Sequence, residues 1–580
     1  LVCDEMDINN ILRGKIWDVI RRIEEEKIFI HSEPLVIRIS DEKEFSLPLI
    51  TTLVVINALV ARGSMLLYGG YGGGKTTLVK ILGRLLTSKS IREIELAIIR
   101  AHPQLTEEKM IGRLHVGKLL KEGAEDIVWR RFIKSFWKII DEINRLSPSA
   151  QDVIFSILSE GIAKYFDGVY ETKEFVLYAT VNPRDVGAYP LGLPFLDRFG
   201  IAVPISSPMF DELTDLTESI DEKLHDYDDT RIPGLLTIDE LIVVWNLVSR
   251  IPLSFESKLF IGALAREFSL CIRTPKETGA FLHSAETICK GCHFNMEYAI
   301  CNKVYTPLSV RAVKDIARYS KALAWLLGLD NVPLGVVLAI APFVIWHRVS
   351  LSPKYLEKFY GNAFQAVRKL VNDAFKNFIR RMPLYRGFMD LEMGRSDLRI
   401  LDMLRDAAAS DLIVAMDLYP IAELLISKNY QLLQRELINA INKEDSGSVK
   451  EILEKINREI PANLKGRFTR IYEKLIRRKR RIFTTSFNEW KKILSELQKI
   501  MPDSKEALMR TLKRSRLEII PLETGYIVIH STGTLDQAPV FVEVYGIGDA
   551  KTIADKISRL MREVTPSEEA GAQSYSLESI

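Results

Sequence analysis

The sequence predicts an α/β protein that begins with a parallel sheet covered by helices and continues into a long helical region. Over the first 210 residues or so, short apolar runs alternate with helical segments, which is typical of parallel strands joined by helical crossovers. One strand runs into a glycine-dense turn that opens a helix, and another strand ends in two acidic residues. Strands return only after about residue 500.

The predicted elements are bounded by turn residues and by changes in the period of the apolar positions. Strands are expected at 65–68, 97–100, 137–140, 175–180 and 201–205, and again at 517–521, 526–530 and 540–544. Helices are expected at 8–30, 48–61, 76–86, 237–248 and 550–564. The helix near residue 237 begins with Thr237-Ile-Asp-Glu240, which has the spacing of a capping box.

Composition and charge exclude several classes of protein. The chain has 580 residues and a net charge of only +3, so it is not a polycation that coats nucleic acid. No secretory signal is expected, because the first residues carry acids and lack a long apolar run. The apolar stretch from Val332 to Trp346 is too short for a membrane span and contains two prolines, which favours a buried helix. We therefore expect a cytoplasmic protein.

The glycine-dense turn at residues 69–76 matches the phosphate-binding pattern G-x-x-x-x-G-K-[ST]. Backbone N–H groups must converge on a triphosphate, and glycine permits the backbone angles and close approach that this requires. Lys75 is expected to contact the β- and γ-phosphates, and the Thr76 hydroxyl is expected to ligate Mg²⁺. The residues predicted to bind ATP at this loop are Gly69, Gly72, Gly73, Gly74, Lys75, Thr76 and Thr77.

A second motif, Phe136-Trp-Lys-Ile-Ile-Asp-Glu142, is an apolar strand that ends in two acids. At the carboxyl end of such a strand, Asp141 is predicted to hold Mg²⁺. Glu142 is predicted to act as the general base that takes a proton from the attacking water. The alternative is a strand that ends in a solvated acidic turn, and the neighbouring phosphate loop argues against it.

Four further runs together resemble the MoxR branch of the AAA+ ATPases, over roughly residues 35–350. The runs are Asp141-Glu-Ile-Asn-Arg145, Ser147-Pro-Ser-Ala-Gln151, Asn182-Pro183 and Leu196-Asp-Arg-Phe199. Residues 166–170 are similar to the tip of a small hairpin that this branch carries. Each run alone is weak, and the set at these intervals is specific. The resemblance implies an AAA+ core followed by a helical lid.

The resemblance also implies roles for three polar residues. Asn182 would be the sensor 1 residue between the γ-phosphate and the water, and Arg198 would be an arginine finger donated to a neighbouring subunit. The alternative for Arg198 is a surface ion pair with Asp197. Arg311 would be the sensor 2 contact to phosphate, although Val310 stands where the family has proline.

Four cysteines, Cys271, Cys289, Cys292 and Cys301, cluster in the region that the resemblance assigns to the lid. Cys289-Lys-Gly-Cys292 has the spacing of a metal knuckle, and the other two cysteines can complete four-coordination of a structural zinc ion. His283 and His293 are available as substitute ligands. Buried free thiols, a disulfide and a redox pair remain as alternatives.

The domains are accordingly expected in four ranges. They are an ATP-binding core at 1–212, a lid with a zinc-binding insertion (about 271–301) at 213–350, a helical domain at 351–500, and a small α/β domain with a loose tail at 501–580.

The resemblance implies a homo-oligomeric ring, usually of six subunits, that remodels protein partners as a chaperone would. The first alternative is a nucleic-acid motor, since residues 477–481 form the basic run Arg-Arg-Lys-Arg-Arg. A second alternative is a nucleotide-gated scaffold with little turnover. GTP in place of ATP is disfavoured, because no guanine-reading N-K-x-D run lies in a suitable place.

Overall fold

The computed structural model divides into two compact units, residues Leu1–Arg380 and Arg381–Ile580. The structure describes residues 2–26, 33–40, 43–70, 72–122, 126–172, 174–183, 185, 188–206, 214, 229–268, 300, 303–392, 399–408, 411, 413–425, 428–459, 462–511, 518–531 and 539–564.

The first unit combines short strands with helices that are mostly amphipathic. Its strands are β1 (Pro34–Arg38), β2 (Glu44–Pro48), β3 (Ser64–Tyr68), β4 (Ile99–Arg100), β5 (Gly112–Leu114), β6 (Ile127–Trp129), β7 (Trp137–Asp141), β8 (Ile162–Tyr165), β9 (Gly168–Glu171), β10 (Val176–Val181) and β11 (Ile201–Pro204). Its helices are α1 (Val2–Glu25), α2 (Leu49–Ala58), α3 (Lys75–Thr87), α4 (Ile91–Glu95), α5 (Glu107–Met110), α6 (Val116–Glu122), α7 (Arg131–Lys134), α8 (Pro148–Glu160), α9 (Leu193–Leu196), α10 (Ile238–Arg250), α11 (Phe255–Glu267), α12 (Val310–Leu326), α13 (Leu334–Ile345), α14 (Pro353–Glu357) and α15 (Ala363–Glu392), which continues into the second unit.

A five-stranded parallel sheet in the order β11-β3-β10-β7-β4 forms the centre of this unit. Val181 pairs with Tyr68 and Ala179 pairs with Ile140, so the carboxyl ends of β3, β7 and β10 lie together at one edge. This edge is where α/β sheets bind ligands. The parallel α/β core predicted from the sequence is therefore confirmed.

The strands predicted in the core are present, with small shifts at their ends. The strand expected at 97–100 is shorter, because the chain enters β4 from a turn at residues 96–97. The first helix was expected to reach residue 30 and ends at Glu25, and residues 27–32 lie outside the described ranges. The hairpin expected around 166–170 is formed by β8 and β9. Two antiparallel pairs, β1–β2 and β5–β6, were not predicted, because such short strands leave little alternating pattern.

Helix α3 approaches β7 closely because it carries Gly83 at the contact. A Cβ atom on Gly83 would lie 2.6 Å from Nε1 of Trp137 in β7. The same indole N–H donates to the carbonyl of Val79 at 3.1 Å. Since α3 begins at Lys75 and β7 ends at Asp141, this packing sets the distance between the glycine loop and the acidic pair.

Helix α12, in the helical region after residue 237, packs against the amino end of β3. Thr237 forms the expected capping box with Glu240 at the start of α10. Tyr319 on α12 donates to Oδ1 of Asn57 at 2.7 Å and accepts from the backbone N–H of Ser64, the first residue of β3, at 3.2 Å. The contacts of residues 309–319 with Asp197 and Ser64 lie at the edge of the sheet opposite the glycine loop.

Helix α13 is the buried helix expected within residues 332–346. Val336, Val337, Ile340 and Val344 are fully buried, and Trp346 donates to the carbonyl of Ala202 in β11 at 2.8 Å. Among the described helices, none combines the length and the apolar character that crossing a membrane would require.

The second unit combines helices with a four-stranded antiparallel sheet in the order β12-β15-β14-β13. Its strands are β12 (Arg480–Ser486), β13 (Glu518–Leu522), β14 (Gly525–Ser531) and β15 (Pro539–Gly546). Its helices are α16 (Arg399–Ala408), α17 (Tyr419–Leu425), α18 (Lys428–Asn442), α19 (Ser446–Glu459), α20 (Ala462–Arg478), α21 (Phe487–Ile500), α22 (Lys505–Arg510) and α23 (Asp549–Val564). Strand β12 lies in the range predicted as mainly helical and was not predicted, because its apolar and polar residues do not follow its alternating burial.

Candidate functional site

The glycine loop lies between the carboxyl end of β3 and the start of α3. Gly72 and Gly74 have φ angles of 69° and 66°, the left-handed region that glycine adopts without strain. Lys75 is buried and its Nζ donates to the carbonyl of Gly69 at 3.1 Å and to that of Gly70. Burial lowers the pKa of Lys75, while the charges of Asp141 and Glu142 raise it. A buried cation at the positive end of a helix, with acids beside it, fits a triphosphate with its metal ion.

Three oxygen-bearing side chains converge at the end of β7. The hydroxyls of Thr76 and Thr180 each donate to Oδ1 of Asp141 at 2.7 Å. The Thr180 hydroxyl also accepts from the backbone N–H of Glu142 at 2.8 Å, which fixes the orientation of both acids. Oxygen donors of this kind suit Mg²⁺, so Thr76 and Asp141 fit the role predicted for them. Thr180 was missed, although its place in β10 beside the end of β7 is a usable signal.

Glu142 stands in a strained backbone position just after β7. Its φ of 57° and ψ of 47° lie in the left-handed region, which is uncommon for a residue other than glycine. Nη1 of Arg145 lies 2.8 Å from Oε2 of Glu142, and the same guanidinium pairs with Asp185. The carboxylate is therefore held by a cation from its own motif. Neither this pair nor Asp185 was predicted from the sequence.

Asn182 follows β10 and is buried beside both predicted motifs. The backbone N–H of Gly69 donates to the carbonyl of Val181 at 3.1 Å, so the glycine loop starts next to Asn182. On the other side, Nδ2 of Asn144 donates to the carbonyl of Asn182 at 2.9 Å. The strand order thus brings Asn182 to the same edge as Lys75 and Asp141, as the resemblance implies.

Arg198 lies at the opposite edge of the sheet. The Ser64 hydroxyl donates to the carbonyl of Arg198 at 3.3 Å, and Ser64 begins the strand whose far end leads into the glycine loop. Five residues of strand separate Ser64 from Gly69, about 16 Å at 3.3 Å per residue. Arg198 therefore lies too far away to reach the phosphate loop of its own chain.

The Arg198 side chain is packed against helix α8. Its Nε donates to the Ser159 hydroxyl at 2.9 Å, and its guanidinium lies 3.6 Å from the ring centroid of Phe155. Burial lowers the pKa of Arg198, the charge of Arg311 lowers it further, and Asp197 raises it. The alternative of a simple pair between Asp197 and Arg198 is not what forms, because Asp197 pairs with Arg311.

Like Arg198, Arg311 lies at the edge of the sheet opposite the glycine loop, where it pairs with Asp197. Its Nη1 lies 3.4 Å from Oδ2 of Asp197, and the Ser309 hydroxyl donates to Oδ1 of that carboxylate at 2.5 Å. The structure therefore groups the predicted site residues into two sets on opposite edges. Lys75, Thr76, Asp141, Glu142 and Asn182 form one set, and Arg198 and Arg311 form the other.

The four cysteines predicted to bind zinc lie outside the described residues, as do His283 and His293. Within the described ranges, no group of three or more His, Cys, Asp or Glu side chains has the geometry of a metal site. The zinc hypothesis thus remains a prediction.

Comparison with known proteins finds an AAA domain within the first unit. The model of the AAA domain (dynein-related subfamily) matches residues 64–199, from the first residue of β3 to just past Arg198. Protein MoxR of Paracoccus denitrificans is 25% identical over 315 residues, which cover 52% of this chain and 84% of that protein. The uncharacterized protein YeaC of Bacillus subtilis is 23% identical over 57% of this chain and 90% of its own length. Protein MoxR of Methylorubrum extorquens is 24% identical over 51% and 82%.

The geometry predicts that Glu142→Gln keeps nucleotide binding and loses turnover. The amide retains the shape of the carboxylate but takes no proton from water, and loss of a general base lowers a rate by about 100-fold or more. Steady-state hydrolysis and equilibrium binding of a fluorescent ATP analogue measure the two quantities separately.

The matched control is Glu95→Gln, which alters an exposed carboxylate paired with Lys80 in the same core. That variant should hydrolyse ATP at the normal rate. Normal turnover by Glu142→Gln would show that another group accepts the proton.

Proposed function

The chain is a MoxR-type AAA+ ATPase, and from the position of its arginines we propose that it hydrolyses ATP at sites shared between neighbouring copies in a ring. Arg198 lies at the amino end of β3 and the glycine loop lies at the carboxyl end. A parallel sheet keeps these ends apart in every conformation that preserves its strands. The arginine can therefore act only on the nucleotide of another copy.

Arg311 supports the same conclusion independently. It belongs to helix α12, yet Asp197 holds it in the same surface cluster as Arg198. The two like charges lie close enough that Arg311 lowers the pKa of Arg198. Two adjacent cations suit an anionic partner, and a neighbour's γ-phosphate supplies such a charge. The predicted phosphate contact of Arg311 is thus proposed for the neighbouring chain's nucleotide.

Each residue at the carboxyl edge has a task in hydrolysis. Lys75 and the backbone N–H groups of the loop bind the phosphates, and Thr76 and Asp141 would hold Mg²⁺, which would neutralise charge on the phosphate oxygens. Asn182 orients the attacking water, and Glu142 takes its proton. Glu142 is first paired with Arg145, so its carboxylate must turn away from that cation before it can act.

We assign protein rather than nucleic acid as the client, on the character of two projecting hairpins. The pairs β5–β6 and β8–β9 pack together through Trp129 and Tyr170, whose ring centroids are 5.5 Å apart. Phe166 at the tip of one hairpin is 61% exposed, and Leu120 on α6, in the connection of the other, is 80% exposed. Exposed apolar side chains suit a protein surface and contribute little to binding phosphates.

The basic run at 477–481 supports a nucleic-acid motor less than its sequence indicates. Lys479 pairs with Glu444 at 3.0 Å, Arg480 pairs with Glu543 at 2.7 Å, and Arg481 pairs with Asp555. Cations that are engaged within the fold release fewer counterions on binding phosphate.

The choice between protein and nucleic acid is tested by the effect of DNA and RNA on ATPase activity. We expect no stimulation at 50 to 200 mM salt, an interval in which phosphate-driven binding changes by about 10³-fold or more. Stimulation that falls steeply with salt would instead favour the motor.

The cysteine cluster is proposed to hold one structural zinc ion through Cys271, Cys289, Cys292 and Cys301. The support is the spacing alone, since two thiolates separated by a Lys-Gly turn reach one tetrahedral metal ion. Purified protein should contain one zinc per chain by elemental analysis, and Cys289→Ser with Cys292→Ser should lose it. Cys3→Ser is the matched control and should retain it. Zinc-free native protein would end this assignment.

The shared site is tested by mixing two inactive variants. Lys75→Ala loses its own ATP site but keeps Arg198, whereas Arg198→Ala keeps its ATP site but loses the donated arginine. In co-purified equimolar mixtures about one interface in four joins a competent site to a competent donor. ATPase activity should return in the mixture and be nearly absent from each variant alone. A mixture as inactive as its components would contradict the shared site.

A further inference from the structure

Arg348, just after α13, is among the most buried charged residues of the described chain, with 1% of its side chain exposed. Its Nη2 donates to the carbonyl of Phe199 at 2.5 Å and to the carbonyl of Gly200 at 3.3 Å. The same nitrogen lies 2.6 Å from Oδ2 of Asp315 on helix α12. The guanidinium therefore joins two helices of the predicted lid to the turn that follows Arg198.

Arg348 also approaches Asp197, the residue that precedes Arg198. Its Nε lies 4.0 Å from Oδ1 of Asp197, and Asp197 is the carboxylate that holds Arg311. The turn at residues 197–200 is thus contacted at both ends. Ser309 and Arg311 bind Asp197 at its start, and Arg348 binds the Phe199 carbonyl near its end.

The neighbouring residue, His347, contacts the same turn but adds no charge. Nε2 of His347 lies 2.9 Å from the carbonyl of Phe199. Burial and then the adjacent Arg348 lower the pKa of His347 to about 3, so its imidazole is neutral at physiological pH. The positive charge that faces the Phe199 carbonyl therefore comes from Arg348.

We infer that Arg348 is a positioning residue that sets where Arg198 and Arg311 are presented to the neighbouring chain, so that hydrolysis there depends on the lid of the donating chain. The inference rests on the proposed shared site. Phe199 directly follows Arg198, so its peptide group determines the backbone position from which the Arg198 side chain extends. Arg348, held by Asp315, links the lid helices to the carbonyls of Phe199 and Gly200.

The shape of the arginine side chain matters at this position. Nη2 makes all three contacts, and Nε in the same rigid plane faces His347 at 3.3 Å and Asp197 at 4.0 Å. A lysine carries one compact ammonium on a flexible stem, so no planar group would hold its nitrogen against the carbonyls of residues 199 and 200. Arg348→Lys should therefore keep a cation for Asp315 while releasing the turn at residues 199–200. A shift of about 1 Å in a catalytic group lowers a rate by up to about 100-fold, so we expect kcat to fall at least tenfold.

The kinetic signature distinguishes positioning from damage to the variant's own ATP site. In Arg348→Lys the KM for ATP and the equilibrium affinity for an ATP analogue should stay within about twofold of wild type, while kcat falls. Arg318→Gln is the matched control, because Arg318 also pairs with Asp315, at 2.9 Å, yet is bonded to the carbonyl of Ala61 rather than to the turn. It should keep near-normal kcat. An equal loss in Arg318→Gln would mean that general lid packing, and not the turn, is responsible.

A paired variant, Asp315→Asn with Arg348→Gln, removes both charges together and so leaves no buried charge without its counterion. If Arg348→Lys fails to fold, this variant takes its place in the same measurements, with the same expected result.

The deciding experiment repeats the mixing assay with Arg348→Lys in place of Arg198→Ala. Combined with Lys75→Ala, which supplies an undisturbed donor turn, the Arg348→Lys chains should regain activity to about the level of the Arg198→Ala reference mixture. Recovery in the reference mixture but not with Arg348→Lys would overturn the positioning role alone. Failure of the reference mixture would overturn the shared site and, with it, the role of Arg348.

Discussion

The two ends of strand β3 carry the two sets of residues on which the proposed ATP hydrolysis depends. Its carboxyl end leads into the loop that binds phosphate, and its amino end carries the hydrogen bonds from Ser64 to the turn of Arg198. A strand of five residues is rigid once it is paired on both sides, with β10 and β11. The chain therefore separates its glycine loop from Arg198 and Arg311 by the length of the sheet. In the proposed function, assembly of neighbouring copies brings the two sets of residues together.

Buried cations bonded to backbone carbonyls hold two turns at the amino edge of the sheet. Nζ of Lys138, the second residue of β7, donates to the carbonyls of Phe132, Ile133 and Ser135, all within 2.8 Å. Burial lowers the pKa of Lys138 to about 7, and the ring of Phe132 lies 5.0 Å from its ammonium. Arg348 has the corresponding role for the turn after Arg198. Each cation offers several donors to carbonyls that lack a strand or helix partner, which backbone groups inside a protein require.

The sequence could predict the first edge because its chemistry is local. A glycine loop followed by lysine and threonine, and two acids after an apolar strand, need only neighbouring residues to be recognised. The contacts of Thr180 and Arg145 were missed because their partners are set by strand register and by a turn, and Arg348 was missed because its partners lie about 150 and 33 positions away. The pairing of Arg311 with Asp197 likewise joins residues far apart in the sequence. Strand β12 was missed because its residue types do not follow its burial: Ile482 is 48% exposed, whereas Thr485 is buried.

The measurement that tests the central claim most directly is the dependence of specific ATPase activity on chain concentration, with nucleotide binding followed in parallel. If the phosphate site and the arginines belong to different chains, activity per chain must rise steeply with concentration as assembly proceeds. Nucleotide bound per chain should change little, because the groups that grip the phosphates belong to one chain. Full specific activity from chains shown to be monomeric at the same dilution would contradict the account.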